Sequence, residues 1–280
     1  MSVAAPDPLL GQPLGQPFRR ERRAAMSGAI EIITLDRPAQ RNALSEIMLK
    51  SLVVVLDELK LDPAVRAIVI AANGPVFCAG HDLKELTARR TDADKGAAYF
   101  REIMGLCAQV MQAIVQSPKP VIAAVDGVAT AAGCQLVASC DLAVASQTAQ
   151  FCTPGVNIGL FCSTPMVALS RNISRKRALE MLLIGEMLSA QDALDFGLVN
   201  RVVPTGQALQ CALQFAEAIA AKSPATVRIG KEAFQRQLDM PLSDAYTYAS
   251  EVMVQNMLEQ DAAEGIGAVL EKRLPVWSQP

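Results

Sequence analysis

The chain has 280 residues, with 26 Lys and Arg against 28 Asp and Glu, and a net charge of −2 at pH 7. Hydrophobic residues make up 51% of it, enough for a large buried core, yet no uncharged apolar run reaches the ~20 residues of a membrane-spanning helix. The balanced charge gives no basic face of the kind that binds nucleic acid. One large domain, or one domain with an appendage, is therefore expected.

Cysteine and histidine usage limits the metal and disulfide chemistry. The seven cysteines contain no C-x-x-C pair, and an odd number argues against a disulfide framework. A zinc site built on His and Cys is not expected, because His81 is the one histidine. The sequence thus predicts a reducing compartment, no metal and no bound cofactor.

Residues 1–26 are predicted to be a disordered N-terminal extension. The first 25 residues carry four prolines and no long apolar stretch, which argues against a secretory signal. The basic run from Arg19 to Arg23 is interpreted as solvated. A mitochondrial transit peptide and an alternative start at Met26 both stay open, so the compartment is the cytoplasm for a bacterial chain or the mitochondrial matrix for a eukaryotic one.

Residues 27–205 alternate short apolar strands with helices. Strands are predicted at 29–35, 67–72, 120–125 and 141–145, and Ser45 is expected to cap a helix that runs through Leu59. The third strand is expected to lead into a helix after Gly127. Strands that alternate with helices in this way predict an α/β core with a parallel sheet and crossover helices.

Residues 206–280 show a different pattern. Helical periodicity covers 207–221, 225–238 and 243–258, with no strand candidate. A C-terminal helical region is therefore expected to follow the core. Its face around Val252, Met253 and Met257 suits packing either against another subunit or within the same chain.

Two segments repeat one design, in which an apolar strand leads through small residues to the start of a helix. They are residues 76–83 and 126–136. Small residues let a ligand approach the backbone, and a helix start presents unpaired N–H groups. Two such turns side by side would aim two donors at one carbonyl oxygen and stabilise an oxyanion. Tight packing is the plainer interpretation of each turn alone, and neither carries the G-x-G-x-x-G dinucleotide fingerprint or a P-loop.

Taken together, these motifs resemble the crotonase (enoyl-CoA hydratase/isomerase) superfamily. The resemblance covers nearly all of the chain outside the N-terminal tail. A finer likeness, to the subgroup called enoyl-CoA hydratase domain-containing protein three, lies in the stretches 129–141 and 153–165. The matching motifs are Arg37-Pro38, Asn42-Ala43-Leu44, the two turns, Ser189-Ala190-Gln191-Asp192-Ala193, Gly197-Leu198-Val199 and Glu271-Lys272-Arg273.

The resemblance implies a crotonase-like fold, with a repeated β–β–α spiral core and a C-terminal helical trimerisation region, assembled as a trimer or hexamer. It implies that the thioester oxygen of an acyl-CoA is held by the backbone N–H groups of His81 and Ala132. Coenzyme A would enter as substrate or ligand. The residues expected to contact it are Ala43, Ala79, Asp82, Leu83, Gly133 and Lys272, the last in the final helix and often reaching a neighbouring subunit.

The two glutamates that the family uses for hydration are replaced. The first maps onto Gln135, whose amide orients water but takes up no proton at pH 7, and the second maps onto Gly155. Acid and base groups contribute ~10²–10⁴ each, so efficient hydration is not expected. Ser163 lies where some relatives carry an aspartate, and Gln135 and Ser163 are retained as weak catalytic candidates.

Other polar groups near these positions have a plain interpretation beside a functional one. The His81 imidazole is expected to point away from the substrate, and the cysteines to act as buried small hydrophobes. Thr153 and Asn157 would orient water or satisfy turn backbone. Asp82 is expected to cap its helix.

Two functions follow from this pattern. The first is a divergent enzyme that uses the oxyanion hole for isomerisation, thioester hydrolysis or slow hydration in fatty-acid metabolism. The second is a non-catalytic acyl-CoA-binding or regulatory protein. The retained turns do not separate the two.

Overall fold

A computed structural model describes residues 17–278, which form two sheets surrounded by helices. The larger sheet has the strand order β1-β2-β3-β5-β7-β10 and the smaller one the order β4-β6-β8-β9. Neighbours run parallel except in the β1–β2 and β8–β9 pairs. The strands are β1 (Phe18–Ala25), β2 (Gly28–Leu35), β3 (Val65–Ala72), β4 (Val76–Cys78), β5 (Val121–Val125), β6 (Val128–Thr130), β7 (Leu142–Ser146), β8 (Gln150–Cys152), β9 (Leu188–Ser189) and β10 (Arg201–Val203).

Helices connect these strands and follow them. They are α1 (Glu46–Leu61), α2 (Leu83–Ala88), α3 (Ala97–Val115), α4 (Ala132–Ser139), α5 (Ser163–Asn172), α6 (Arg175–Ile184), α7 (Ala190–Phe196), α8 (Ala208–Ala220), α9 (Pro224–Gln237), α10 (Leu242–Met257) and α11 (Gln260–Leu270). Three times in succession, a strand of the large sheet is followed by a short strand of the small sheet and then by a helix. The expected β–β–α repeat is therefore present.

The strands β3 and β5 are buried along nearly their whole length, as continuous apolar runs predict. One face of the large sheet packs under α1, α3 and α4 in the main hydrophobic core. The other face packs against α8, whose alanines and Leu213 share a second cluster with Ile30 and Val69. The helix α8 thus completes the core, although it lies within the C-terminal helical region predicted for residues 206–280. The helices from α9 onward lie outside both clusters.

The predicted disordered extension is wrong for residues 18–25. They form β1, which pairs antiparallel with β2 over its full length. The basic run is not simply solvated, because Arg20 and Arg22 each bind the buried Glu31, at 2.8 and 2.9 Å. A buried carboxylate needs such partners, and the alternating arginines supply them from the neighbouring strand. Residues 1–16 lie outside the described residues.

Two other expectations need correction. The chain after Gly127 first forms β6 and begins its helix only at Ala132. Gly127 is required there, because a Cβ on it would lie 2.3 Å from the Pro75 carbonyl oxygen. Helical periodicity did not find α11, because glycines at 265 and 267 and a run of small residues weaken its pattern, although the resemblance implied a final helix near Lys272.

A buried ion pair fastens the helical region to the core. The Lys231 ammonium on α9 donates to the Asp141 carboxylate at 2.7 Å and to the carbonyl oxygens of Ile114 and Lys119. Asp141 also accepts from the Val121 N–H at 2.7 Å. Burial lowers the pKa of Lys231 and raises that of Asp141, with the partner's charge opposing the shift in each case. Asp141 therefore joins α9 to the start of β5.

None of the helices within residues 17–278 is both long and apolar enough to cross a membrane.

Candidate functional site

The structure brings the two small-residue turns into direct contact. Strand β4 pairs with β6, and the Thr130 hydroxyl donates to the Ala79 carbonyl at 3.1 Å. Gly80 has a φ of +84°, and a Cβ on it would lie 2.9 Å from the Ala131 Cβ and 3.1 Å from the Ala132 nitrogen. Only a glycine lets the first turn approach the second this closely.

Each turn presents one unpaired backbone donor where they meet. Ala132 is the first residue of α4, so its N–H has no intrahelical acceptor. Among residues 17–278, neither this N–H nor that of His81 has any hydrogen-bond acceptor. Their neighbours are engaged, because the Ala79 N–H donates to Arg41 and the Ala131 N–H to Cys152. Two backbone donors without an acceptor in the described residues therefore lie on adjoining turns.

The turn before α4 holds Ala131 in an unfavourable conformation. Its φ of 50° and ψ of −120° lie in a region that glycine adopts freely and alanine does not. The 2.9 Å bond from its N–H to Cys152 keeps it there. A larger residue does not fit at Gly133, because its Cβ would lie 2.1 Å from the Cys78 carbonyl oxygen. The turn before α4 therefore carries local strain at Ala131, and the helix start is kept.

Four of the residues expected to contact coenzyme A lie at or beside the first turn. Leu44 donates to the Gly80 carbonyl at 2.8 Å, which sets Ala43 beside Ala79. Leu83 begins α2 and is 54% exposed. Asp82 caps that helix as predicted, accepting from the N–H groups of Lys84 and Glu85.

Gln135 is buried on the first turn of α4, three residues after Ala132. Its side-chain oxygen accepts a long contact of 3.9 Å from the Cys107 thiol. Burial raises the pKa of Cys107 to about 12, so this neighbour is a neutral thiol at physiological pH. Neither group at this position takes or releases a proton readily near pH 7.

Gly155 is enclosed by its own loop. A Cβ on it would lie 2.7 Å from the Leu160 carbonyl oxygen and 2.9 Å from the Cys162 sulfur. The loop is held closed by the Leu160 N–H, which donates to the Gly155 carbonyl at 2.9 Å. The Cys162 thiol thus occupies the space that a side chain at 155 would enter. No sequence signal pointed to this contact, because residues 155 and 162 meet only through the shape of the loop.

Other polar residues near this loop satisfy backbone groups. Thr153 donates to the Met181 carbonyl at 2.8 Å, and Asn157 donates to the Gly185 carbonyl at 3.1 Å. Ser163 is exposed at the start of α5, and its hydroxyl donates to the Phe161 carbonyl at 3.3 Å. No histidine is hydrogen-bonded to Ser163 among the described residues, so its hydroxyl has no adjacent base of that kind.

The His81 imidazole is buried in surroundings that disfavour its protonated form. Its Nε2 atom is buried and has no hydrogen-bond partner in the part of the chain that the structure describes. Burial lowers the pKa of His81 to about 4, so the ring is neutral at pH 7. A ring in this state can hold a water molecule or a substrate group, but it is a weak base.

The cysteines are all buried and free. Burial raises the pKa of Cys134 to about 12 and that of Cys152 to about 11, and it raises the pKa of Cys162 as well. Thiols held protonated in this way are poor nucleophiles. Among the described residues, no group of three or more His, Cys, Asp or Glu is arranged to hold a metal ion.

Lys272 lies just after α11 and not within it. It is exposed, with a φ of 56° that ends the helix in a left-handed turn. Lys272 lies on a different element from the two turns.

The family follows from comparison with known proteins. The family model described as enoyl-CoA hydratase/isomerase matches residues 25–280. The chain therefore belongs to the enoyl-CoA hydratase/isomerase family, the crotonase superfamily, and the crotonase-fold prediction is confirmed.

Individual relatives confirm the finer likeness as well. The chain is 51% identical to the rat protein named "Enoyl-CoA hydratase domain-containing protein 3, mitochondrial", over 89% of this chain and 81% of the rat protein. The human protein of the same name is 49% identical over 92% of this chain and 84% of its own length. The expected resemblance to that subgroup is thus supported by sequence.

Solved structures agree with the sequence matches. A crystal structure of an enoyl-CoA hydratase from Mycobacterium smegmatis superimposes with a TM-score of 0.87 and 48% identity, covering 93% of this chain and 98% of that one. The crystal structure of human enoyl Coenzyme A hydratase domain-containing protein 3 gives a TM-score of 0.86 at 48% identity, covering 92% and 99%.

Proposed function

We propose that this protein binds acyl-CoA thioesters and polarises the thioester carbonyl with the backbone N–H groups of His81 and Ala132, without performing efficient hydration. The observation that carries the proposal is the pair of unpaired donors on two adjoining turns. Donors fixed in place stabilise an enolate or tetrahedral oxyanion, and each is worth roughly 10²–10³ in rate. Ala43, Ala79, Asp82, Leu83 and Gly133 form the proposed surroundings of coenzyme A, together with Lys272.

The proposal excludes efficient hydration because the positions expected to supply the acid and the base carry no ionisable side chain. Hydration of an enoyl thioester needs an acid and a base on either side of a water molecule. Gln135 is a neutral amide beside a neutral thiol, and Gly155 has no side chain. The chemistry that remains is isomerisation, thioester hydrolysis or slow hydration, within fatty-acid metabolism.

A non-catalytic acyl-CoA-binding or regulatory protein is the second candidate. The packing of Cys162 against Gly155 favours it, because that loop leaves no room for an acidic side chain. Both candidates need the same two donors, so thioester binding is common to them. Turnover is what separates them.

We also propose assembly as a trimer or hexamer through the C-terminal helices. Large apolar side chains on α10 and α11 are exposed in the isolated chain, among them Met253 at 63% and Val269 at 77%. Exposed apolar patches of this kind mark protein–protein interfaces. Sedimentation velocity of the full chain tests the assembly, and a monomer at micromolar concentration contradicts it.

The function itself is tested with a panel of saturated and 2-enoyl-CoA thioesters, with binding followed by calorimetry and products by mass spectrometry. Ala132→Pro is the informative variant, because it removes one donor at the first helical position and puts the proline Cδ where the thioester oxygen is expected to lie. Ala131→Gly is the matched control, since it keeps every N–H. We expect at least tenfold weaker binding or turnover in Ala132→Pro only, checked against its melting curve.

Each outcome of the panel is decisive. Tight binding with turnover supports the divergent enzyme, and tight binding without any turnover supports the non-catalytic candidate. Absence of binding across the panel contradicts both.

A further inference from the structure

The side-chain amide of Gln135 is engaged at its oxygen and unpaired at its nitrogen. Its Oε1 atom faces α3, where the Cys107 thiol approaches it at 3.9 Å. Its Nε2 atom donates to no acceptor among residues 17–278. Gln135 is only 5% exposed, yet the enclosed side-chain atoms without a partner in this part of the chain are His81 Nε2 and Asp261 Oδ2, and not the Gln135 nitrogen. The amide nitrogen therefore reaches open space from an otherwise buried residue.

Cys107 determines which end of the amide is unpaired. Burial raises the pKa of Cys107 to about 12, so the sulfur keeps its proton at pH 7 and is a donor to the amide oxygen. With Oε1 turned toward α3, both N–H bonds of Nε2 remain for another acceptor. The accessible end of Gln135 is thus a hydrogen-bond donor and offers no acceptor.

Helix geometry directs this donor toward the Ala132 N–H. Gln135 follows Ala132 by three residues on the first turn of α4, and residues three apart on a helix are neighbours, with Cβ atoms about 5–6 Å apart. Helical side chains lean toward the start of their helix, which is also where the Ala132 N–H points. A thioester whose carbonyl oxygen meets Ala132 is therefore expected to place its next carbon atoms beside the Gln135 amide.

An unpaired amide donor at this place favours an acyl group that brings an acceptor. A saturated or 2-enoyl chain has only carbon at C3, so it displaces water from Nε2 and leaves that donor unsatisfied, which weakens binding. A hydroxyl at C3 accepts from Nε2, but it also carries a proton of its own, and the Oε1 atom is already held by Cys107. A carbonyl at C3 only accepts, so it matches a group that only donates.

We propose that Gln135 is a specificity-determining residue that selects 3-oxoacyl thioesters of coenzyme A through its Nε2 donor. The inference rests on the proposed function, because it takes the thioester carbonyl to be held by the backbone N–H groups of His81 and Ala132. Three neutral donors then hold the two carbonyl oxygens of one acyl group. A carboxylate at position 135 would present an acceptor to the C3 oxygen and repel it, whereas the amide nitrogen attracts it.

The test is a calorimetric titration of the full chain with butyryl-CoA, 3-hydroxybutyryl-CoA and acetoacetyl-CoA, which have the same chain length and differ only at C3. Gln135→Met removes the donor and keeps an unbranched side chain of similar length, and Gln135→Glu replaces the donor by an acceptor. Gln210→Met is the matched control, because Gln210 is exposed on α8. The quantity compared is the ratio of acetoacetyl-CoA affinity to butyryl-CoA affinity within each protein, which is insensitive to a loss of folded protein.

The unmodified chain and the control are expected to bind acetoacetyl-CoA about tenfold more tightly than butyryl-CoA, with 3-hydroxybutyryl-CoA between them, because a donor that would be left unpaired gains an acceptor. The ratio should fall to near one in Gln135→Met and below one in Gln135→Glu.

A ratio near one in the unmodified chain, or a ratio that is kept in Gln135→Met, overturns the inference and leaves acyl-CoA binding in place. Equal affinity for 3-hydroxybutyryl-CoA and acetoacetyl-CoA overturns the assignment to 3-oxoacyl groups. Absence of binding by all three thioesters overturns the proposed function itself.

Discussion

The sulfur of Cys162 lies 2.9 Å from the point that a Cβ on Gly155 would occupy. The Leu160 carbonyl oxygen lies closer still, at 2.7 Å. The space beside Gly155, where the resemblance leads us to expect the second hydratase glutamate, is therefore filled by a thiol and closed by backbone. A change at Gly155 alone does not recreate a catalytic carboxylate, since the loop must first open.

Gly155→Glu is expected to destabilise the protein by about 1–3 kcal/mol, the usual cost of overpacking, because a backbone oxygen cannot move aside cheaply. Adding Cys162→Ala removes the sulfur contact but not the Leu160 contact, so it should recover only part of the loss. Urea unfolding measures both. Gly230→Glu is the control, since nothing lies within 4 Å of a Cβ at that position. Equal stability of the two glutamate variants contradicts the prediction.

The same packing bears on the recovery of hydratase activity. Gln135→Glu with Gly155→Glu is expected to give no efficient hydration of crotonyl-CoA, because the second carboxylate does not fit the closed loop. The decrease in absorbance of the enoyl thioester measures it. A rise of several decades in rate over the unmodified chain would show that the loop opens readily and that the packing is not limiting.

Ala131 and Gly133 should respond in opposite ways to exchange. Ala131→Gly is expected to stabilise the protein by about 1 kcal/mol or more, because the residue already has a φ of 50°. Gly133→Ala is expected to destabilise it, since its Cβ would lie 2.1 Å from the Cys78 carbonyl oxygen. Thermal unfolding of the two variants compares them directly. A lower melting temperature for Ala131→Gly contradicts the assignment of strain.

The stability of the protein should fall with acid because of His81. The unfolded chain binds a proton near the ordinary pKa of 6.5, whereas burial lowers the pKa to about 4 in the folded state. The unfolded state therefore binds more protons between these values, so this contribution is fully present above pH 6.5 and is lost as pH falls toward 4. At pH 5 the loss is about 2 kcal/mol.

His81→Leu isolates this effect, since the chain has one histidine and the backbone donor is kept. Urea unfolding at pH 7.5 and pH 5 is compared for the two proteins. The variant should lose less stability than the unmodified chain between these conditions. An identical pH dependence in both would mean that the imidazole is solvated in the folded state.

The Lys231–Asp141 pair should matter more than the surface ion pairs. Lys231→Met leaves the Asp141 carboxylate without its cation in a buried place, which is expected to cost about 3–5 kcal/mol. Asp141→Asn in the same chain should recover part of it. Arg177→Ala, which breaks an exposed pair with Glu180, is the control and should change stability by less than about 1 kcal/mol. Equal effects of the two single variants contradict the prediction.

The sequence predicted those parts of the fold that depend on local pattern. Strands β3 and β5 were found because runs buried on both faces are continuously apolar. Strand β1 was missed because its arginines alternate to reach Glu31 on the neighbouring strand, a long-range pairing that looks like a solvated tail. Lys231 was missed for a similar reason, since nothing in a helical pattern marks one lysine as buried.

For the candidate site too, the sequence predicted the features that depend on local pattern and missed those that depend on the folded loop. The two turns were predicted because small residues between a strand and a helix are visible in the sequence, and the structure brings them together. The enclosure of Gly155 by Cys162 was not visible, because it depends on the loop that Leu160 closes. The roles of the named site residues stay predictions.

The central claim is that two backbone N–H groups polarise a bound thioester carbonyl. Infrared difference spectroscopy of an acyl-CoA labelled with carbon-13 at that carbonyl tests it most directly. The account predicts a shift of the carbonyl stretch to lower frequency in the unmodified chain and in Ala131→Gly, and a smaller shift in Ala132→Pro, because one donor is lost. A bound thioester whose carbonyl absorbs as it does in water, or an equal shift in Ala132→Pro, would contradict it.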